Sequence, residues 1–126
     1  MLQFHVPGFV SAGAEIVAIA DTSAAAAENA AEKYGIPKAY CSAAEMLAGS
    51  PEIGAVSVIL PNKFHYPEAV RALQAGKHVF CEKPPALDAA EAADMKACAE
   101  KAGKTLMFNF NNRARPDAQA VMDYIR

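Results

Sequence analysis

Apolar and polar positions alternate in blocks along this chain. Short runs rich in β-branched and apolar residues predict strands at Glu15-Ile-Val-Ala-Ile-Ala20, Lys38-Ala-Tyr-Cys41, Ala55-Val-Ser-Val-Ile-Leu60, His78-Val-Phe-Cys81 and Thr105-Leu-Met-Phe-Asn-Phe110. Helices fill the intervals, and each carries its own punctuation. Thr22 or Ser23 caps a helix that runs to about Tyr34 and stops at Gly35. Ser42 and Glu45 form a capping box for a short helix ending near Ala48. A third helix runs from about Tyr66 to Ala75, with Pro67 in its first turn and Gly76 behind it. Asp88 and Glu91 open a fourth, on which Ala92, Met95, Ala99 and Ala102 recur at helical spacing as an inward face, and Gly103 stops it. Pro116 opens a last helix that continues to the end of the chain.

Strands this apolar, alternating with helices, form a parallel sheet covered on both faces, because a half-exposed sheet would show polar residues at every second position. The expected class is α/β, a doubly wound parallel sheet. No linker, repeat or low-complexity tract interrupts it. The alanines of residues 24–31 let a helix lie close on the sheet.

Composition narrows the picture. The 126 residues fit one domain with a real core, 53% hydrophobic and 21% charged. Twelve basic and 14 acidic residues give a net charge of −2 with no basic run, which points away from nucleic acid. No apolar stretch approaches the ~18 residues of a membrane span, and residues 1–12 lack the charged start and long apolar run of a signal peptide. Cys41, Cys81 and Cys98 are odd in number and form no CxxC, so they read as thiols of a reducing cytoplasm, and the location expected is cytoplasmic. His5, His65 and His78 show no ligand spacing, and no metal site is expected.

In an open parallel sheet, ligands bind outside the carboxyl ends of the strands. The residues there are Asp21, Pro61-Asn62, Glu82-Lys83-Pro84 and the stretch Asn109 to Arg113. Asp21 can accept hydrogen bonds from two ribose hydroxyls and would repel a 2′-phosphate, which favours NAD over NADP; it can equally be a capping or turn aspartate. Pro61 to His65 is either a loop under a cofactor or an ordinary turn, and His65 by itself reads as packing before catalysis. Glu82 and Lys83 are two opposite charges directly behind a buried strand, costly unless partnered. Pro84 fixes their turn through a bond that can be cis. A lysine held there presents a point charge to a ligand oxygen or a developing alkoxide. The plainer alternative is an exposed, salt-bridged turn.

The segments Ala18-Ile-Ala-Asp21, Pro61-Asn-Lys-Phe-His65, Ala75-Gly-Lys-His-Val-Phe-Cys-Glu-Lys-Pro84 and Phe110-Asn-Asn-Arg113 together resemble the amino-terminal domain of the Gfo/Idh/MocA oxidoreductases, in register over essentially the whole chain. The resemblance implies an NAD(P)-binding Rossmann fold and hydride transfer between a nicotinamide cofactor and a small-molecule substrate, a sugar, polyol or related carbonyl compound. By motif position it implies that Asp21, with Thr22 beside it, holds the adenosine ribose. Pro61, Asn62 and His65 would line the nicotinamide side, with Pro84 beside them. Glu82 would contact the nicotinamide ribose, and Lys83, the candidate catalytic residue, would reach the reacting oxygen or fix the nicotinamide. Asn111 and Arg113 would lie near the crossing into a second domain.

The departures from the family pattern carry expectations of their own. The family opens on a strand and a glycine-rich turn; this chain opens at Met1-Leu-Gln-Phe-His-Val-Pro-Gly8, which resembles the helix after that turn. Residues 1–115 are thus expected to be a partial dinucleotide-binding domain lacking its first strand and Gly-rich loop. Residues 116–126 are expected to begin the crossing into a substrate domain, in an enzyme that is a homo-oligomer when complete. In the order 3-2-1-4-5-6 the absent strand lies between the strands ending at Ala20 and Leu60, so the sheet has a gap there or closes up. The chain alone is expected to be poorly stable, to bind NAD weakly and to be inactive. Two other functions fit the pattern less well: a non-catalytic dinucleotide sensor, and a phosphoacceptor domain, which the absence of an acidic cluster at Asp21-Thr22 and Leu60-Pro61 disfavours.

Overall fold

The computed structural model describes residues 1–125. Its elements run α1 (Leu2–Ser11), β1 (Ile19–Ala20), α2 (Ala24–Tyr34), β2 (Ala39–Tyr40), α3 (Ala43–Gly49), β3 (Ala55–Val58), α4 (His65–Gln74), β4 (His78–Cys81), α5 (Ala89–Ala102), β5 (Leu106–Phe108) and α6 (Pro116–Tyr124). Short 3₁₀ turns at Asn62–Phe64 and Asn111–Ala114 precede α4 and α6.

The helix boundaries follow the capping chemistry. Ser23 Oγ accepts from the Ala26 N–H, Ser42 Oγ from Glu45 and Asp88 Oδ1 from Glu91. Glu45 and Glu91 reach back to the N–H groups of Cys41 and Leu87, so both capping boxes close one residue ahead of the cap. Gly35 and Gly103 end α2 and α5 at φ 66° and 61°, a conformation that glycine adopts without steric cost.

Every strand pairing is parallel. The sheet is nevertheless in two pieces: β1 pairs with β2, and β3-β4-β5 form a separate three-stranded unit. Between β1 and β3 lies a slot of about 570 Å³, lined by Val17 and Ile19 on one side, Val56 and Val58 on the other, and Val6 and Phe9 of α1. Of the two outcomes open from sequence, the sheet has a gap and does not close up. That explains why β1 is short. Residues 15–18 were expected in the strand, but only Ile19 and Ala20 are paired, next to an equally short β2. An apolar run becomes a strand only where a neighbour supplies hydrogen bonds. β2, β3 and β5 also end one or two residues inside their apolar runs, whereas β4 fills the expected His78–Cys81.

The main core lies between the three-stranded unit and α4 and α5, built on Val58, Leu73, Val79, Cys81 and Met95. Ala69 and Ala72 are essentially inaccessible, so α4 lies close against the strands. On α5, Met95 and Ala99 are buried, which is the inward face expected from their spacing. Side chains alternate along β4: Val79 and Cys81 enter this core, whereas Phe80 points to the opposite face, edge-on to Phe9 of α1 (5.6 Å between ring centroids) and to His5 (6.0 Å). Helices therefore cover both faces, as in a doubly wound fold.

Candidate active site

The carboxyl ends of β3 and β4 and the start of α1 converge on a cavity of about 400 Å³ lined by Met1, Leu2, Ile59, Leu60, Glu82 and Lys83. Glu82 organises it. Its carboxylate is about 5% exposed and takes three hydrogen bonds. The His5 ring bonds Oε1 through Nε2 (2.6 Å), Asn109 Nδ2 donates to the same oxygen (2.7 Å), and the Lys83 backbone N–H donates to Oε2 (3.1 Å). Burial pushes the carboxyl up, but the bonds from Asn109, His5 and Lys83 outweigh it and hold Glu82 below the ordinary glutamate range. Both charges of the motif are thus accounted for differently. Glu82 is turned inward and satisfied, while Lys83 is exposed and, among the described residues, its ammonium has no ion-pair partner.

The Lys83-Pro84 bond is cis. His65 is 1% exposed, and both its ring nitrogens are engaged, Nδ1 with the Pro84 carbonyl and Nε2 with the Leu60 carbonyl, each at 2.7 Å. Its imidazole touches the site through the backbone on either side of it. Pro61 precedes the 3₁₀ turn, and Asn62 Oδ1 is buried without a hydrogen-bond partner among the described residues. Cys81, directly before Glu82, is a packing residue: burial, with the charge of Glu82, pushes its thiol up to about 12.

The remaining expected residues lie apart from this cluster. Asp21 follows β1 at the margin of the slot, and its Oδ1 accepts the Ser23 N–H (2.8 Å), the turn geometry that leads into α2. Thr22 is exposed beside it. Asn111 and Arg113 are exposed in the second 3₁₀ turn and line neither cavity. Among the described residues no group of three or more His, Cys, Asp or Glu could hold a metal, and no helix is long and apolar enough to cross a membrane.

Sequence reasoning missed His5, and it placed Asn109 at a strand end without its bond to Glu82. His5 meets Glu82 across 77 residues, and no local pattern announces such a pair. The available signal was a lone histidine one turn before Phe9 on an otherwise apolar helix.

The Glu82 network yields a pH prediction. Because the folded-state pKa is depressed, its stabilisation is present above the carboxyl's unfolded pKa and is lost as pH falls through the folded value. Glu82→Gln removes that acid-side loss. It also sets an amide N–H₂ against the Lys83 N–H, costing about 1–3 kcal/mol at neutral pH. Thermal melts of both proteins across the acid range would read both effects; parallel curves would contradict the assignment.

A parallel α/β sheet wound by helices on both faces, with its polar residues gathered at the strand ends, is a nucleotide-binding architecture. Residues 2–110 match the family described as "Oxidoreductase family, NAD-binding Rossmann fold", and the chain belongs to this Gfo/Idh/MocA family. It is 40% identical over 112 residues to the D-glucoside 3-dehydrogenase of Escherichia coli, covering 88% of this chain and 31% of that protein. It is 37% identical over 113 residues to the 1,5-anhydro-D-fructose reductase of Ensifer adhaerens, covering 90% and 34%. Among solved structures, the WlbA dehydrogenase of Bordetella pertussis in complex with NADH and UDP-GlcNAcA superposes with a TM-score of 0.91 at 30% identity, covering 98% of this chain and 38% of that one. The 3-ketoreductase KijD10 of Actinomadura kijaniata, in complex with TDP-benzene and NADP, gives 0.80 at 33% identity, covering 88% and 34%. The chain thus spans about a third of the length of the relatives it matches.

Proposed function

We propose that this chain is the cofactor-binding part of an NAD(P)-dependent oxidoreductase that moves a hydride between nicotinamide and a sugar, polyol or related carbonyl compound. The observation that carries the reading is the Lys83 ammonium, exposed on the rim of a cavity and set there by a buried, fully hydrogen-bonded Glu82. The dehydrogenases and reductases among its relatives support the reaction class.

The residues fit a nicotinamide cofactor. Asn62 Oδ1 is a buried acceptor in want of a donor, at the strand end where the family motif puts the nicotinamide side, with Pro61 and Pro84 beside it. Asp21, keeping Oδ2 free of protein partners among the described residues, would take the adenosine ribose with Thr22 adjacent. When bound, nicotinamide supplies or takes up the hydride. The chain's own work is at the oxygen: Lys83 Nζ–H donates to the carbonyl, stabilises the negative charge that grows there and delivers the proton in the reducing direction. Glu82 acts behind it as a positioning residue, bonding the Lys83 backbone N–H, and faces the cavity where its motif position implies the nicotinamide ribose. Residues 1–115 form the cofactor unit. Asn111, Arg113 and the exposed apolar side chains of α6 (Val121, Met122 and Tyr124) begin the crossing at 116–126 toward a substrate domain and homo-oligomer contacts. A cytoplasmic location suits the free thiols.

The test is NAD(P)H turnover by the natural-length polypeptide against a panel of sugars and polyols and their carbonyl forms. Cofactor choice has its own test. A carboxylate at Asp21 favours NAD, so Asp21→Ala is expected to weaken NADH binding about tenfold or more, through loss of hydrogen bonds to a charged acceptor worth about 1.5–3 kcal/mol, with NADPH affected less. Equal losses for the two cofactors would remove Asp21 from the ribose.

A further inference from the structure

We propose that His5, in the first turns of α1, is a positioning residue for Lys83 and acts on it through the Glu82 carboxylate. His5 Nε2 lies 2.6 Å from Glu82 Oε1, and the second oxygen, Oε2, takes the Lys83 backbone N–H at 3.1 Å. An ionised carboxylate only accepts, so the ring is the donor. The carboxylate is a rigid plane, and a bond that fixes one oxygen also aims the other. Asn109 Nδ2 donates to the same Oε1 at 2.7 Å, and the Asn109 N–H is itself bonded to the Cys81 carbonyl at 2.8 Å. Helix α1 and the end of β5 thus grip one carboxylate at the end of β4.

Packing alone does not call for a histidine there. The ring lies 5.8 Å from Phe9 and 6.0 Å from Phe80, centroid to centroid, and a phenylalanine would fill the same place. What a phenylalanine lacks is the N–H. Glu82 Oε1 would then keep Asn109 as its one donor, and a buried carboxylate short of a donor gains by turning toward water. Glu82 lines the cavity, so water is within its reach. That rotation draws Oε2 away from the Lys83 N–H. The Lys83 ammonium has no ion-pair partner among the described residues, so its place depends on the backbone that carries it. A shift of about 1 Å at a catalytic group costs up to about a hundredfold in rate. The positioning role rests on the proposed role of Lys83; the path from His5 to the Lys83 N–H does not.

The test uses the natural-length enzyme. His5→Phe keeps the aromatic packing and removes the donor. It is expected to lower kcat about tenfold while leaving KM for the nicotinamide cofactor within about twofold. His5→Gln, whose amide N–H₂ reaches about as far as Nε2, is expected to recover most of the rate. In a Lys83→Ala background, His5→Phe is expected to lower kcat further by less than about twofold, because nothing remains to be placed. An unchanged kcat in His5→Phe, or the same tenfold loss in both backgrounds, overturns the role. If His5→Phe does not fold, His5→Asn, whose amide falls short of Oε1, takes its place with the same expectations. Hydrogen exchange at the Lys83 amide reads the path without turnover: about tenfold faster exchange is expected in His5→Phe or His5→Asn and near-normal exchange in His5→Gln. Equal rates in all three and the parent would overturn the path. An enzyme inactive toward every carbonyl compound would count against the dehydrogenase reading, and the exchange result would still decide the path.

Discussion

Replacing Lys83 with alanine in the natural-length enzyme is expected to lower kcat by about 10²- to 10⁴-fold, the range that general acid catalysis and charge stabilisation at a developing alkoxide supply. What the side chain does and does not touch separates its effect on rate from its effect on stability. The Lys83 N–H is bound by Glu82 Oε2, and that bond survives truncation. The ammonium is exposed and unpaired among the described residues, so its removal should change stability by no more than about 0.5 kcal/mol. The variant is therefore a folded protein missing one charge. KM for the cofactor should change little, because the interaction gained in the transition state is the one lost. Lys83→Arg should recover only part of the rate, since a planar fork does not put its charge where a compact ammonium does. Full activity in Lys83→Ala would return the residue to an exposed turn and take the proton transfer away from it.

Filling the slot between β1 and β3 is expected to change the stability of the 126-residue chain by several kcal/mol. The slot is walled by Val17, Ile19, Val56, Val58 and Phe9, with free strand edges on both sides. A parallel strand seated there buries two or three apolar side chains at about 1.5–3 kcal/mol each, a sum near 5 kcal/mol. That is comparable with the whole stability of a typical domain, about 5–15 kcal/mol. The chain by itself should accordingly unfold with little cooperativity and bind NADH weakly. The same chain extended by an apolar strand and a glycine-rich turn ahead of α1 should melt cooperatively and bind NADH. Calorimetric melts and NADH titrations of the two proteins make the comparison. A micromolar dissociation constant for NADH on the unextended chain would contradict it.

Much of the fold was legible because its signals are local. Ser42 with Glu45 and Asp88 with Glu91 mark helix starts through bonds spanning three residues, and Gly35 and Gly103 mark helix ends through a backbone conformation. The Glu82-Lys83-Pro84 turn stood out because two charges directly behind an apolar strand need an explanation. The length of β1 was not legible, because Glu15-Ile-Val-Ala is apolar whether or not a neighbour pairs with it. Nor was the partner of Glu82: sequence supplied a charge needing compensation, and only the fold brings His5 and Asn109 to it from 77 and 27 residues away. His65 read as packing, and its ring is indeed buried, but the two carbonyls it bridges lie 5 and 19 residues off on separate loops.

The central claim is that this chain carries the nicotinamide side of a hydride-transfer site. Its most direct test is isotopic. The natural-length enzyme is incubated with NADH or NADPH deuterated at the reactive carbon and with a panel of keto- and aldo-sugars, and the alcohol products are examined by mass spectrometry. The expected result is one deuterium on the former carbonyl carbon of at least one product, reduced in proportion to kcat in Lys83→Ala. Cofactor binding without deuterium transfer to any member of the panel would contradict the claim.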